Sequence, residues 1–546
     1  MLEFTEKTIG DFIDNTCLKF KNNEAIVSPD KDLRYTYTEF KELYDGIAKG
    51  LIKLGIKQGE HVAIWSSNSI EWLAIQIATA KIGAVLVCVN SEYQKNELAY
   101  ALHHSDVTTL FLSSETQDAK YMEMLCNICP ELKTTKSGEL KSSKLPMLKN
   151  VISLNGNPNE HLFKLKDIIE MGKMISDEEL FRIGRSVKST DCVTIQYTSG
   201  TTGNPKAVMS THTTILNNAL ISGEKFNYTS SDRLITCLPL FHVMGLVLCA
   251  FVCFANGATV VLVERFSTKK VLNAIEKERC TVINGVPTMF KFLLTYPDFK
   301  KYDVSSLKKG MIAGSYCSPD LMDDILTYLM DDLFVVYGQT EALAITIMPL
   351  SKDNFHHYHK SIGKPLPGAE IKIINPFTGK EVPNETEGEL CTKTTYIMSG
   401  YYKNKKATNK AIDKNGWLHT GDLAIKNKDD HYQLIGRIKE VIIRGGENIS
   451  PAEIEDVLSN IHYIKDASVV GVPDKNLGET VCAFIILEDG HSVTEDVIKA
   501  ELKDILARYK IPKYIEFVNT FPCTANGKVQ KFKLTDYATK KYELHK

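Results

Sequence analysis

The sequence predicts an α/β protein: a large N-terminal domain of parallel sheets covered by helices, then a small, mobile α+β domain at the C-terminal end. Three observations carry this. Short apolar runs of strand length alternate with helix-period segments, which is the grammar of βαβ units and of a mostly parallel sheet. The chain has 546 residues, more than one core usually supports. Beyond Gly436-Arg437 the pattern shortens to strand, helix, strand, strand, helix, strand, enough for one unit of about a hundred residues.

His61 to Trp65 reads as a buried strand, Ile70 to Ile82 as an apolar-periodic helix and Ala84 to Val89 as the next strand. Residues 133–190 are rich in Lys, Ser, Asn and Glu with weak periodicity, so surface excursions are expected there. Leu246 to Val263 is the most apolar stretch. Asn256-Gly257 interrupts it, which predicts a buried helix, a turn and a buried strand rather than a membrane span. Ala258 to Val263, a helix near Lys270 to Glu278 and Thr281 to Ile283 repeat the βαβ pattern. The boundary near Gly436 gives units 1–436 and 437–546. Within the second, Ser450-Pro451-Ala452-Glu453 predicts a helix start with Ser as N-cap, Pro at the first position and Glu closing a capping box.

Composition excludes several classes. Hydrophobic residues are 43% and charged residues 24%, ordinary for a globular enzyme and not for a disordered or fibrous chain. A net charge of −2 provides no global field for nucleic acid, so a polyanionic ligand must be recognised locally. The first residues, MLEFTEKTIGDFIDN, carry no signal or transit pattern, which makes cytoplasm the expected compartment. Thirteen scattered cysteines fit reduced thiols. Cys126 and Cys129 form a CxxC without a second Cys/His pair nearby, so core or helix-surface thiols are expected rather than a metal site.

The most informative segment runs Tyr197-Thr198-Ser199-Gly200-Thr201-Thr202-Gly203-Asn204-Pro205-Lys206-Ala207-Val208, between two strand-like stretches. Its hydroxyls, glycines and lysine are the groups that wrap a polyphosphate. The spacing excludes a Walker A loop, since Lys206 follows Gly203 by three and no helix begins there. No HRD or DFG set accompanies it, which excludes a protein kinase.

These twelve residues resemble the signature of the acyl-adenylate-forming superfamily. Leu238 to His242, Tyr337-Gly338-Gln339-Thr340-Glu341, Gly416 to Leu423, Gly436 to Glu440 with Arg444 to Ile449, and Asn526-Gly527-Lys528 resemble its further motifs, in order. One departure is Ala207, where the family usually has glycine.

The resemblance implies an AMP-forming acyl-CoA synthetase using ATP, Mg²⁺ and coenzyme A on a small-molecule carboxylic acid, without nucleic acid or a transmembrane segment, and with a homodimer allowed. It implies that Thr198, Ser199, Gly200, Thr201, Thr202, Gly203 and Lys206 cradle the β- and γ-phosphates. Glu341 is the implied Mg²⁺ ligand, with Thr340 near the α-phosphate. Tyr337 and Gly338, with Gly314-Ser315, would flank adenine; Asp422 would accept the ribose hydroxyls and Arg437 would reach the ribose or phosphates. His242 would line the junction of acyl pocket and thiol tunnel, and it stands where amino-acid-activating relatives carry an aspartate. Lys528 would lie between carboxylate and α-phosphate, Gly445-Gly446 would form the thiol tunnel, and Lys439 would be the hinge. The implied substrate is a short- to medium-chain fatty acid. The competing readings are an aryl-acid CoA ligase, an acyl-AMP ligase loading a carrier protein, a luciferase-like oxidase on the same fold, and an inactive ATP-binding paralogue.

Overall fold

In a computed structural model the helix Ile70–Lys81 begins where Ser69 accepts a hydrogen bond from the Trp72 amide, and its residues from Trp72 to Ala80 are buried. Such a helix cannot lie on a surface, and its side chains join one core cluster with residues from both large sheets of the N-terminal part. The structure describes residues 4–113, 121–154, 161–198, 205–445, 447–503, 505–523 and 528–544.

The first sheet has nine strands. Asp332–Gln339, Lys309–Ile312, Val282–Gly285, Arg233–Thr236, Thr259–Leu262 and Glu24–Ser28 run parallel in that spatial order. Antiparallel strands close both margins, Leu343–Leu350 on one side and Leu33–Thr36 on the other. The second sheet has eight strands, six of them parallel, with His61–Trp65 and Val85–Cys88 at its centre. Its margin is the antiparallel hairpin of Cys192–Thr198 and Lys206–Thr211, extended by Gly400–Tyr401. A four-stranded antiparallel sheet, Ala369–Ile374, Gly388–Thr394, Leu418–Lys426 and Tyr432–Arg437, follows.

The chain then enters a smaller α+β unit whose five-stranded sheet has its own apolar core. Its strands Ile464–Asp474 and Gly478–Leu487 pair along their whole length. Three helices cover it; the last, Lys531–Lys541, was not anticipated in the sequence pattern. Tyr316 donates to Asp456 at 2.6 Å and Lys291 to the Lys465 carbonyl at 2.9 Å, both polar contacts between the large and small units.

The apolar stretch is a helical segment, Leu246–Phe251 and Val252–Asn256, ended by Gly257 at φ 69°, and then the buried strand Thr259–Leu262. No helix among the described residues is long and apolar enough to cross a membrane. All thirteen cysteines are free thiols, and Cys523 is the exposed one.

Two expectations need correction. Residues 133–190 are not merely surface excursions: Asn150–Ser153 and Phe163–Lys164 extend the eight-stranded sheet, and Leu165–Gly172 packs on the helix Tyr37–Lys53. Elements of two to eight residues are too short to show a period. The Ser450 capping box is also absent. Ser450 Oγ instead donates to the Ile435 carbonyl at 2.7 Å, tying the small unit to the preceding strand, and Glu453 takes Lys510.

The contact of the two helices depends on missing side chains. A Cβ on Gly50 would lie 2.1 Å from the Ile168 carbonyl oxygen, and one on Gly172 would lie 2.6 Å from that of Gly46. We expect Gly50→Val to destabilise the large unit by about 1–3 kcal/mol, the scale of core overpacking, seen as a lower urea midpoint with an unchanged slope. Identical midpoints for parent and variant would show that the helices can separate without loss.

Candidate active site

Asp332–Gln339 ends the parallel series of the nine-stranded sheet, where ligand crevices form in α/β proteins. Gly338 makes the ending possible. A Cβ there would lie 1.9 Å from the Leu343 carbonyl oxygen, so only glycine allows the strand to turn straight into its antiparallel partner. The side chains of Tyr337 and Gln339, two residues apart, both reach Asp422: Tyr337 Oη donates to Asp422 Oδ2 at 2.7 Å, and Gln339 Nε2 donates to the same oxygen at 2.7 Å. Arg437 Nε lies 2.9 Å from the other oxygen, Oδ1.

Asp422 is buried, and three donors from two strands compensate it. Burial, then the Asp422 carboxylate, push the Tyr337 phenol well above its usual value. For Arg437, burial opposes the charge, but Asp422, Glu440, Tyr337 and Glu341 outweigh it and raise the guanidinium pKa. Lys528 approaches the same group from the small unit. Solvent still reaches its side chain. Even so, desolvation in the crowded mouth between the units, then the Arg437 charge, hold its ammonium below the usual lysine value, with Glu440 and Asp422 opposing.

Next to this cluster, Glu341 Oε1 accepts from the Tyr401 hydroxyl at 2.8 Å, and Lys206 Nζ lies 4.5 Å above the Tyr401 ring. Tyr401 thus joins the expected metal ligand to the expected phosphate lysine. Among the described residues the Glu341 carboxylate carries that one hydrogen bond, so an oxygen remains for a cation such as Mg²⁺, a hard ion that takes carboxylate oxygen. Thr340 is half-buried beside it. A cavity of about 280 Å³ opens beside Lys206, walled by Tyr100, His104, Tyr401, Tyr402 and Asn404.

His242 precedes the short turn Val243–Gly245, with its ring 4.5 Å from that of Phe241. Burial pushes its imidazole down to about 4, so it is neutral at physiological pH. Val286 and Cys317 are buried in the same large core cluster as Phe241, and Gly314, at φ 89°, faces Val286. Ser315 is exposed. Gly445 is held within the small unit, its amide donating to the Leu477 carbonyl at 2.8 Å. Lys439 lies on a single 3₁₀ turn, Ile438–Glu440, between two strands. Thr198 and Lys206 pair at the mouth of their hairpin, whereas Ser199, Gly200, Thr201, Thr202, Gly203 and Gly446 lie outside the described residues.

Gln339 and Tyr401 were missed in the sequence. Gln339 had a signal, since strand alternation sets it on the face of Tyr337. Tyr401 had none, because its position depends on Gly400–Tyr401 pairing with Lys206–Thr211 across nearly two hundred residues.

A layered α/β unit with a polar crevice at a sheet margin, closed by a small α+β unit, is the architecture of adenylate-forming enzymes. The anthranilate CoA ligase AuaEII, solved with anthranoyl-AMP, shares this fold at a TM-score of 0.86 and 24% identity over 100% of this chain and 99% of that one. The family models for the AMP-binding enzyme and the AMP-binding enzyme C-terminal domain match residues 13–402 and 453–528. The putative acyl-CoA synthetase YngI of Bacillus subtilis (strain 168) is 43% identical over 545 residues, 100% of this chain and 99% of its own length. The mitochondrial medium-chain acyl-CoA ligase ACSF2 of Homo sapiens is 38% identical, over 97% of this chain and 87% of its own. The chain belongs to the AMP-binding enzyme family, as an adenylate-forming acid–thiol ligase of the acyl-CoA synthetase type.

Because the His242 pKa lies near 4, its protonation is complete only below that value and it titrates nothing between pH 6 and 8. We expect His242→Asn to leave the shape of the pH–rate profile unchanged over that range, whatever it does to the rate. A limb near pH 6.5 that disappears in the variant would mean that His242 is solvated and ionising during turnover.

Proposed function

We propose that the protein converts a short- to medium-chain fatty acid, ATP and CoA to acyl-CoA, AMP and pyrophosphate through an acyl-adenylate. The observation that carries this reading is the buried Asp422 carboxylate, held by Tyr337, Gln339 and Arg437 with Lys528 approaching from the small unit. A carboxylate offers about four acceptor positions, and three are taken here, so Asp422 Oδ1 keeps one for a ribose hydroxyl and Tyr337 or Gln339 yields its place on Oδ2 to the second. The Tyr337 ring and the Gly338 and Gly314-Ser315 backbone flank the base. Lys206 and Thr198, with the Ser199 to Gly203 loop, take the β- and γ-phosphates. Glu341, beside Thr340, would hold Mg²⁺, which would supply neutralisation of the phosphate charge.

A substrate carboxylate oxygen then attacks the α-phosphorus in line, the bond to the β-phosphate oxygen breaks, and pyrophosphate leaves. Lys528 steadies the attacking carboxylate against the α-phosphate. In the second step the CoA thiol gives up its proton to solvent as its sulfur attacks the acyl carbon, the bond from that carbon to the phosphate oxygen breaks, and AMP departs with the bonding electrons. Gly445-Gly446 and Lys528 lie on one small body, 437–546, so they serve the two steps in turn as that body rotates about Lys439. The Tyr316–Asp456 contact belongs to the adenylating arrangement. A neutral, buried His242 beside the Phe241 ring suits a hydrocarbon chain, and the medium-chain ligase named among the relatives favours that class. The reading carries the cytoplasm as the compartment.

A panel of fatty and aryl acids, assayed for CoA-dependent AMP release, tests the substrate. A peak at C4 to C12 fatty acids is expected, on the scale of a methylene's worth of about 0.8 kcal/mol per step. A peak at aryl acids would move the substrate class, and ADP with orthophosphate would overturn the mechanism.

Two variants test the roles. Glu341→Gln should lower ATP use about 10²-fold or more while the fold is kept, the scale of a lost preorganised charge. Lys528→Ala should cripple adenylate formation yet still convert supplied acyl-AMP and CoA to thioester. Single-turnover rates of each half-reaction decide the matter, and equal slowing of both would make the small unit a passive lid.

A further inference from the structure

Asp422 reaches its partners because the strand that carries it bulges away from Gly388–Thr394 on one side while staying paired with Tyr432–Arg437 on the other. Between Gly388–Thr394 and Leu418–Lys426, Glu389 pairs with Leu423 and Cys391 with His419, so Leu390 alone opposes Thr420, Gly421 and Asp422. This excursion is a β-bulge, a device that re-aims side chains. Gly421, at φ 72°, takes the left-handed turn at its centre.

The excursion is held from below by one carboxylate. Glu389, 9% exposed, accepts from the Gly421 amide at 3.1 Å through Oε1 and lies 3.0 Å from His419 Nδ1 through Oε2. It thus bridges the entrance of the bulge and its turn. Thr420 Oγ1 donates to the Leu390 carbonyl at 2.6 Å, and the Asp422 amide donates back to Thr420 Oγ1 at 3.1 Å. Gln339, which binds Asp422, also donates to the Thr420 carbonyl at 2.9 Å. Cys391 Sγ lies 3.6 Å from His419 Nδ1, and with Glu389 these donors have the spacing of a metal trio. Both Glu389 oxygens are already engaged by the bulge, which accounts for the cluster without an ion.

We propose that Glu389, together with His419, is a positioning residue for nucleotide recognition: it sets the bulge that aims Asp422 at the ribose. This rests on the reading of Asp422 as the ribose acceptor. A buried carboxylate costs stability unless its oxygens are bonded, and here both bonds go to the segment it must hold. Removing it frees the Gly421 amide and the His419 ring, and Asp422 loses its aim while keeping its charge.

The test is discrimination between ATP and 2′-deoxy-ATP, which simple loosening of the fold would not move selectively. In the parent enzyme kcat/KM should favour ATP, and Asp422→Ala should abolish that preference. Glu389→Ala should cut the preference about ten-fold, the scale of a lost hydrogen bond to a charged group, with the KM for acid and for CoA little changed. Glu389→Gln, which keeps an acceptor for Gly421, should restore part of it. If Glu389→Ala does not fold, His419→Ala carries the same expectation from the half-exposed side of the pair. A parent that does not distinguish the two nucleotides would overturn the ribose assignment and this proposal with it. A parent that discriminates, with Glu389 and His419 variants that keep the full preference, would overturn the proposal alone.

Discussion

Everything in the crevice is organised around one buried negative charge. Taking a carboxylate out of water is costly, and Asp422 is compensated from two sides: by Tyr337 and Gln339 at the end of a parallel strand, and by an arginine on the next strand of its own sheet. That requirement fixes where the nine-stranded sheet must meet the four-stranded one. It also explains why Gly338 and Gly421 stand where the backbone must turn sharply, because a Cβ at the first would strike the Leu343 carbonyl and the second has a left-handed φ.

The same charge links the large unit to the small one. Arg437 closes the four-stranded sheet and pairs with Asp422, and the chain passes from it through Ile438–Glu440 into the small sheet. Ser450, back-bonded to Ile435, fastens the first helix of the small unit to the strand that carries Arg437. By contrast, the direct contacts between units at Tyr316 and Lys291 are single polar pairs near the surface. Surface contacts of this kind contribute roughly a kilocalorie per mole or less.

Much of this was legible in the sequence, for identifiable reasons. The strands His61–Trp65 and Thr259–Leu262 are continuous apolar runs, because both faces of a parallel sheet are covered. Tyr337, Glu341, Asp422, Arg437 and Lys528 sit in short motifs whose order along the chain carries their relationship. What was not legible came from long-range pairing. Tyr401 has no local pattern, and its place between Glu341 and Lys206 depends on a two-residue strand. Glu389 reads as an ordinary strand residue until the register with Leu418–Lys426 is known. The Ser450 capping box failed for a related reason: local sequence offered Glu453 as its partner, but Lys510 competes for that carboxylate with a full charge.

The distribution of thiols has a practical side. Twelve of the thirteen cysteines are buried or half-buried, while Cys523 lies exposed on the small unit, five positions before Lys528. Burial slows the Cys523 thiol somewhat by raising its pKa, but access favours it over the others. A fluorophore attached there would sit five positions from Lys528 in the sequence. The enzyme therefore carries its own attachment point for testing in solution the movement proposed for that lysine, without an engineered cysteine and without stripping out the native ones.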